Sequence, residues 1–214
     1  MSVSAELNQR RTESGFDGPV DAGRRSRKKQ RTRDDLIAAG DELFSTQGFD
    51  ATTTADIAER ADVSQRTLFR HFPTKESLLY ADMENARLQL RLALDARPSD
   101  EAILASLRHA MLSLAEDFEA NRDRRLMQAR LAASSPGVAT YSRAIVQASW
   151  EREIIAALAA RLDVDPLADP RPELMAGAAM SAVRIALRQW TASGGTADVM
   201  TLIAAALDAI PTML

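Results

Sequence analysis

The stretch "SQRTLFRHFPTKESLL", residues 64–79, decides how this chain folds. Ser64 is of the type that caps a helix N-terminus, its hydroxyl taking an orphan N–H of the following turn, and Pro73 stops the helix that Ser64 opens. At 100° per residue, Gln65, Leu68, Phe69 and Phe72 fall in one arc, while Arg66, Thr67, Arg70 and His71 occupy the opposite one. Such a helix is either a solvated cationic surface or a reading head aimed at a polyanion.

Upstream, "TTTADIAERADVS" (52–64) predicts a short helix with Thr53 as N-cap, Asp56 at N3, and Ile57, Ala58 and Ala61 inward. Asp62 lies in the turn before Ser64. Further back, a helix is predicted to start after Thr32, with Asp35 as a capping partner and Gly48 closing it. Its apolar residues Leu36, Ile37, Leu43 and Phe44 share one face, and Leu68 and Phe72 are placed to pack on Ile57 and Phe44. Three short helices with a tight turn before the third form a helix-turn-helix, whose third helix commonly presents its first turns to base edges.

The charge distribution agrees. The whole chain carries −3, yet residues 24–75 sum to +3, and "RRSRKKQRTR" (24–33) has seven cations and no acid. Residues 1–23 mix Ser, Gly, Asp and Glu without periodicity and are expected to be unstructured. The arm at 24–33, ending at Arg33, reads either as an unstructured basic tail that adds non-specific affinity through counterion release or as a donor of an arginine to a minor groove. No cysteine is present, which excludes disulfides and thiolate metal sites and suits a reducing cytoplasm. No apolar run approaches a membrane span, so no membrane partner is expected. Two histidines 38 residues apart, without a phosphate loop or a Glu-x-x-His pair, offer no metal or catalytic constellation, and neither an enzyme nor a cofactor is expected.

The run "TRDDLIAAGDELFSTQGFDATTTADIAERADVSQRTLFRHFPTKESLL" (32–79) resembles the tetracycline-repressor (TetR) family of bacterial regulators. The landmarks are Leu43-Phe44, Gly48-Phe49, Thr53, Ile57-Ala58, Val63-Ser64, Thr67-Leu68, His71-Phe72 and Lys75-Glu76. The resemblance implies an all-α homodimer with an N-terminal three-helix helix-turn-helix head (24–75, arm included) and a C-terminal helical ligand-binding and dimerisation domain (76–214). It implies that Thr53, Thr67, His71 and Lys75 touch phosphates of a palindromic double-stranded operator and that Ser64 caps the recognition helix. Gln65 and Arg66 would then face base edges, and Arg70 either. Chemically this is sound, since arginine can bond guanine O6 and N7 together and glutamine adenine N6 and N7. Three positions depart from the family pattern. Phe69 replaces a common tyrosine, Arg66 stands where a small residue is frequent, and Asp62 takes a turn position where glycine is usual.

Beyond Pro73 the sequence reads as helices: a long one to about Arg97, one from Ser99 carrying Ile103, Leu107, Met111, Leu114 and Phe118, and shorter segments to about Ala133. A break is expected at "SSPG" (134–137), then a helix with the stripe Val146, Trp150, Ile154, Leu158 and Leu162. After a loop at 162–172, the segment 173–190 has only three charges and is expected to be buried on several faces, Gly177 and Ser181 allowing close approach. With 197–210 it is read as the dimerisation surface, the alternative being that both helices merely complete the monomer core. Candidate pocket residues are His109, Met111, Tyr141, Trp150, Arg184 and Arg188, the arginines pairing with a partner's acids, reaching solvent, or binding an anion. "RTLFRHFPTKE", "ARPSDE" (96–101) and the late tryptophan look like the family branch with an acyl-CoA-like ligand domain, which implies an amphiphilic effector. The competing reading is an effector-independent, nucleoid-type DNA binder.

Overall fold

The computed structural model describes residues 19–210, which form α-helices, one π-helical segment and no strand among the described residues. Helix α1 spans Pro19–Thr46, α2 Thr54–Arg60 and α3 Gln65–His71. The first helix thus begins well before the expected start after Thr32, and the basic run 24–33 is helical, not an unstructured tail. Arg, Lys and Gln are good helix formers, and a helix extended outward from a folded segment needs no new nucleus. The Gln30 amide donates to Asp34 at 2.8 Å within this extension. The rest of the stretch read as unstructured, residues 1–18, lies outside the described residues.

Local signals fix the three-helix head. Thr53 Oγ1 accepts from the Asp56 N–H at 3.1 Å, and Asp56 accepts from the Thr53 N–H at 2.9 Å, closing the expected capping box. At the other end of α2, Asp62 adopts φ 52°, the Val63 N–H reaches the Ala58 carbonyl at 2.9 Å, and the Asp62 N–H reaches Glu59 at 3.0 Å. This is a Schellman closure, with aspartate in the left-handed position that glycine favours. Ser64 Oγ caps α3 by accepting from the Thr67 N–H. Leu36, Phe44, Phe49, Ile57, Leu68 and Phe72 form the core beneath, each at most 4% exposed.

Helix α4 runs Lys75–Leu79 and α5 Met83–Asp95, so the expected continuous helix after Pro73 is broken at residues 80–82. Side chains of a later helix cause the break. The Arg124 guanidinium and Gln128 amide donate to the Leu78 and Leu79 carbonyls, displacing the backbone ladder. The head core extends through this region, burying Leu78, Leu79 and Tyr80, and takes in Val138 from further along the chain. At Gly40, α1 crosses α4 so closely that an added Cβ would lie 2.3 Å from Leu78 Cδ2.

The remaining elements are α6 (Ile103–Leu112), α7 (Ala115–Ala120), α8 (Arg122–Ser134), α9 (Pro136–Tyr141), the π-helical segment (Ser142–Gln147), α10 (Ala148–Leu162), α11 (Arg171–Ala192) and α12 (Val199–Asp208). The helix expected from Ser99 through Phe118 is split at Ser113–Leu114, where the Ser113 hydroxyl bonds the Ala110 carbonyl. "SSPG" is a narrower break than expected: Ser135 alone separates α8 from α9, and Pro136 opens α9, where its fixed φ suits a first helical residue. A second core gathers Leu107, Ile154, Leu158, Trp190, Ile203 and Leu207, with Trp190 edge-on to Phe118 at 5.1 Å. On α11 the face packed in this core is Ala176, Ala179, Ala182, Ala186 and Trp190. Gly177, expected to allow close approach, has nothing near its missing Cβ. It shares the outer face with Leu174 (68% exposed) and Ile185 (38%). No helix among the described residues is long and apolar enough to cross a membrane.

Candidate DNA-reading surface and effector groove

Helix α3 is pinned by Leu68 and Phe72, 0% and 2% exposed, which turns Gln65, Arg66 and Arg70 outward. Phe69, which its arc placed inward, is 47% exposed. In a seven-residue helix the two anchors a turn apart fill the available core, so the neighbouring position lies at its rim. The ring therefore joins the outward face. Helical projection ranks directions but says nothing of how wide the core is, which is why the sequence missed it.

Thr67 and His71 are half-buried beside this face. The Thr67 and Ser64 hydroxyls lie 3.0 Å apart. Burial, followed by the charges of Arg70, Lys29 and Arg33, holds the His71 imidazole below its ordinary range, so it is neutral at pH 7. Thr53 is exposed, and because its oxygen accepts the capping bond its O–H remains a donor. Two expected phosphate or DNA contacts are otherwise engaged. The Lys75 ammonium donates to the Phe49 carbonyl and, at 2.7 Å, to the Thr52 carbonyl, and sits 4.2 Å from the Phe49 ring centre. One of its three N–H groups is left over. Arg33 points away from α3's outer face: it donates to the Ala81 carbonyl at 3.1 Å and stacks on Phe72 at 4.6 Å, tying α1 to the break after α4. The residues of α1 from Arg24 to Arg31 are exposed.

The expected pocket residues do not converge. His109 is on the surface, 2.9 Å from Glu101, in a cluster with Arg97 and Ser106 that holds the Glu101 carboxyl down to about 2. Met111 is ordinary core, Trp150 packs against that core, and Arg184 and Arg188 are exposed on α11. Tyr141, by contrast, lines a cavity. Its ring stacks on Tyr80 at 6.0 Å, 13° from parallel. Together with Met83, Arg87, Ile145 and Arg152 the two tyrosines border a groove of about 380 Å³ between α5, the π-helical segment and α10. A second, more open hollow of about 520 Å³ on the other side of Tyr141 and Ile145 is bordered by Glu76 and Pro136. Burial raises both phenols, so they stay protonated hydrogen-bond donors. Arg87 is paired with Glu153, which also meets Arg91 at 3.4 Å. A wide π turn is frequently a mark of a functional site. The sequence had no signal for it, because the residues at 142–147 read as an ordinary amphipathic helix.

A capped, basic helix presented over a tight turn, joined to a separate helical body with a groove, defines a helix-turn-helix DNA-binding regulator. The comparisons with known proteins narrow the class. Residues 36–81 match the model described as bacterial regulatory proteins, tetR family, and residues 101–214 match the MftR C-terminal domain. The chain belongs to the TetR family. It is 35% identical over 194 residues to the HTH-type transcriptional regulator TcmR of Streptomyces glaucescens, covering 87% of this chain and 84% of that one. It is 28% identical over 164 residues to the putative mycofactocin biosynthesis transcriptional regulator MftR of Mycobacterium tuberculosis, covering 77% and 82%. The fold is shared with Thermus thermophilus FadR in complex with lauroyl-CoA, at a TM-score of 0.52 and 23% identity over 83% of this chain and 92% of that one. As a member of this family the protein is a ligand-responsive, DNA-binding transcriptional regulator.

Proposed function

We propose that two copies of this chain hold a palindromic operator through their α3 helices and that a small amphiphile bound in the Tyr80–Tyr141 groove releases it. The observation that carries the reading is the outward face of α3, where Gln65, Arg66, Phe69 and Arg70 stand exposed over a rigid Leu68–Phe72 anchor. Arg66 and Gln65 supply the bidentate chemistry for guanine and adenine, and Phe69 an apolar surface for a thymine methyl. Thr53, Thr67 and His71 flank that face as phosphate contacts, Ser64 acts through its cap, and the leftover Lys75 N–H adds a weak contact. The helical arm at 24–31 contributes point charges to the backbone and, through them, salt dependence.

Labour is divided along the chain, with residues 24–75 addressing DNA and 76–214 addressing the effector and the second subunit. The exposed Leu174–Ile185 face of α11, continued by α12, fits a four-helix bundle across a twofold axis, with Arg184 and Arg188 at its flank. The groove is bordered by the apolar and aromatic side chains of Tyr80, Met83, Tyr141, Ile145 and Val146 and by the charged Glu84, Arg87, Arg152 and Glu153, and its volume is within the range that holds a small ligand. Lauroyl-CoA, the ligand of Thermus thermophilus FadR, makes acyl thioesters the first compounds to try. Such a regulator works in the cytoplasm, beside the chromosome.

Selection of bound duplexes from a random pool, repeated with lauroyl-CoA and shorter acyl thioesters, tests this directly. The expected result is one palindrome with half-sites about 34 Å apart, weakened by a ligand. Equal retention of all duplexes, with or without ligand, would instead mark an effector-independent DNA binder.

A further inference from the structure

We propose that Arg124 is a positioning residue that fixes the DNA-reading head to the wall of the effector groove. The break at 80–82 has two sides. On one, Tyr80 and Met83 line the groove. On the other, Asp82 and the carbonyls of Leu78 and Leu79 meet α8. A single guanidinium collects these groups. Arg124 Nε lies 3.2 Å from Asp82 Oδ1, and its Nη2 donates to Leu78 O at 3.0 Å and Leu79 O at 2.8 Å. Its Nη1 is ion-paired with Asp41 of α1, the residue after Gly40, where α1 crosses α4. The Arg124 side chain is 10% exposed. Gln128 beside it, 2% exposed, repeats the pattern by donating to Leu79 O at 2.8 Å and Asp82 Oδ1 at 2.9 Å.

Packing alone does not ask for this arrangement, because apolar side chains fill a buried site at no cost in desolvation. What the charges add is an all-or-none contact. Arg125, 6% exposed, takes Asp82 Oδ2 at 2.8 Å and Asp117 at 2.9 Å, and its Nη1 lies 2.7 Å from the Met83 sulfur on the groove wall. Two arginines thus share Asp82 between the groove and the head. Moving Tyr80 or Met83 draws Asp82 and the Leu79 carbonyl with them, and Arg124 cannot follow without leaving Asp41. With its guanidinium end buried and Asp41 30% exposed, the pair is made or broken rather than stretched, and that gives the head two positions. If the groove is the effector site, as proposed above, this contact is how occupancy reaches α1.

The absence of cysteine lets the inter-head distance be read directly, with a nitroxide on Glu59→Cys in α2 of each copy of the full-length dimer. Without ligand, the parent dimer should give one narrow distance distribution. Asp41→Asn and Arg124→Gln should each broaden it and weaken operator binding by about fivefold or more. The double variant should be no worse than either single one, since both act through one contact. Distances like the parent's, or losses that add in the double variant, would overturn the proposal. Should Arg124→Gln fail to fold, Arg124→Lys carries the same test, because a point charge cannot span Asp41, Asp82 and two carbonyls together. No ligand enters the measurement, so its result stands even if the groove proves not to be the effector site.

Discussion

The head and the C-terminal body are both helical, yet they are specified by different means. In the head each turn has its own local signal: the Thr53–Asp56 box, the Asp62 left-handed closure and the Ser64 cap. Side chains within a few residues of each terminus decide where it falls. The joint between head and body is set differently: α4 ends where distant side chains intrude, Arg124 and Gln128 reaching residues 78–82 from 42 or more residues away along the chain. The lesson is that local capping makes a rigid reading device, whereas long-range polar contacts make joints that can be opened.

Substitutions in the two cores should separate them most strongly. Trp190→Ala should cost the body about 3–5 kcal/mol and Leu68→Ala the head about 2–5 kcal/mol. Both tryptophans lie in the body. In Leu68→Ala, therefore, part of the helical circular dichroism should melt before the tryptophan fluorescence changes. Coincident transitions would mean that Val138 and its neighbours weld head and body into one cooperative unit.

Lys75→Ala is the next largest effect. It removes the donor from the buried Phe49–Thr52 corner and leaves the Thr52 carbonyl without its partner, the Phe49 carbonyl keeping the Thr52 N–H at 3.3 Å, for about 1–3 kcal/mol of head stability. Thermal melts should show that loss, while the salt slope of operator binding falls by less than the roughly one expected of a dedicated phosphate contact. A full unit of slope with unchanged stability would return Lys75 to the DNA.

The same contrast explains what the sequence made legible. The all-α class, the three helices of the head, Thr53 and Ser64 as caps and Leu68 and Phe72 as anchors all followed from periodicity and capping chemistry. The extension of α1 to Pro19 did not, because helix propagation depends on what the segment is attached to. The intramolecular bonds of Arg33 and Lys75 were equally hidden, since composition cannot tell a free cation from one that staples carbonyls. The groove was least visible: of the residues advanced for it only Tyr141 belongs, because stripes of Met and Trp mark core equally well and His109 answers to Glu101 on the surface.

A smaller, pH-dependent effect tests the reading surface. His71 is held below its ordinary range in the free protein by burial and then by its cationic neighbours. A phosphate beside it favours the charged form, so binding should take up a proton and operator affinity should rise as pH falls from about 7.5 towards 6. His71→Gln should flatten that rise, as fluorescence anisotropy with a labelled operator would record. A rise of equal steepness in the variant would assign the proton elsewhere.

The measurement closest to the central claim compares the parent protein and Arg66→Ala on every single-base variant of the selected operator. If α3 reads bases through its exposed face, the variant should lose about 1–3 kcal/mol and should lose its base preference at one position, repeated symmetrically in each half-site. A uniform loss on all sequences, with every preference intact, would contradict that claim and leave Arg66 as a phosphate clamp.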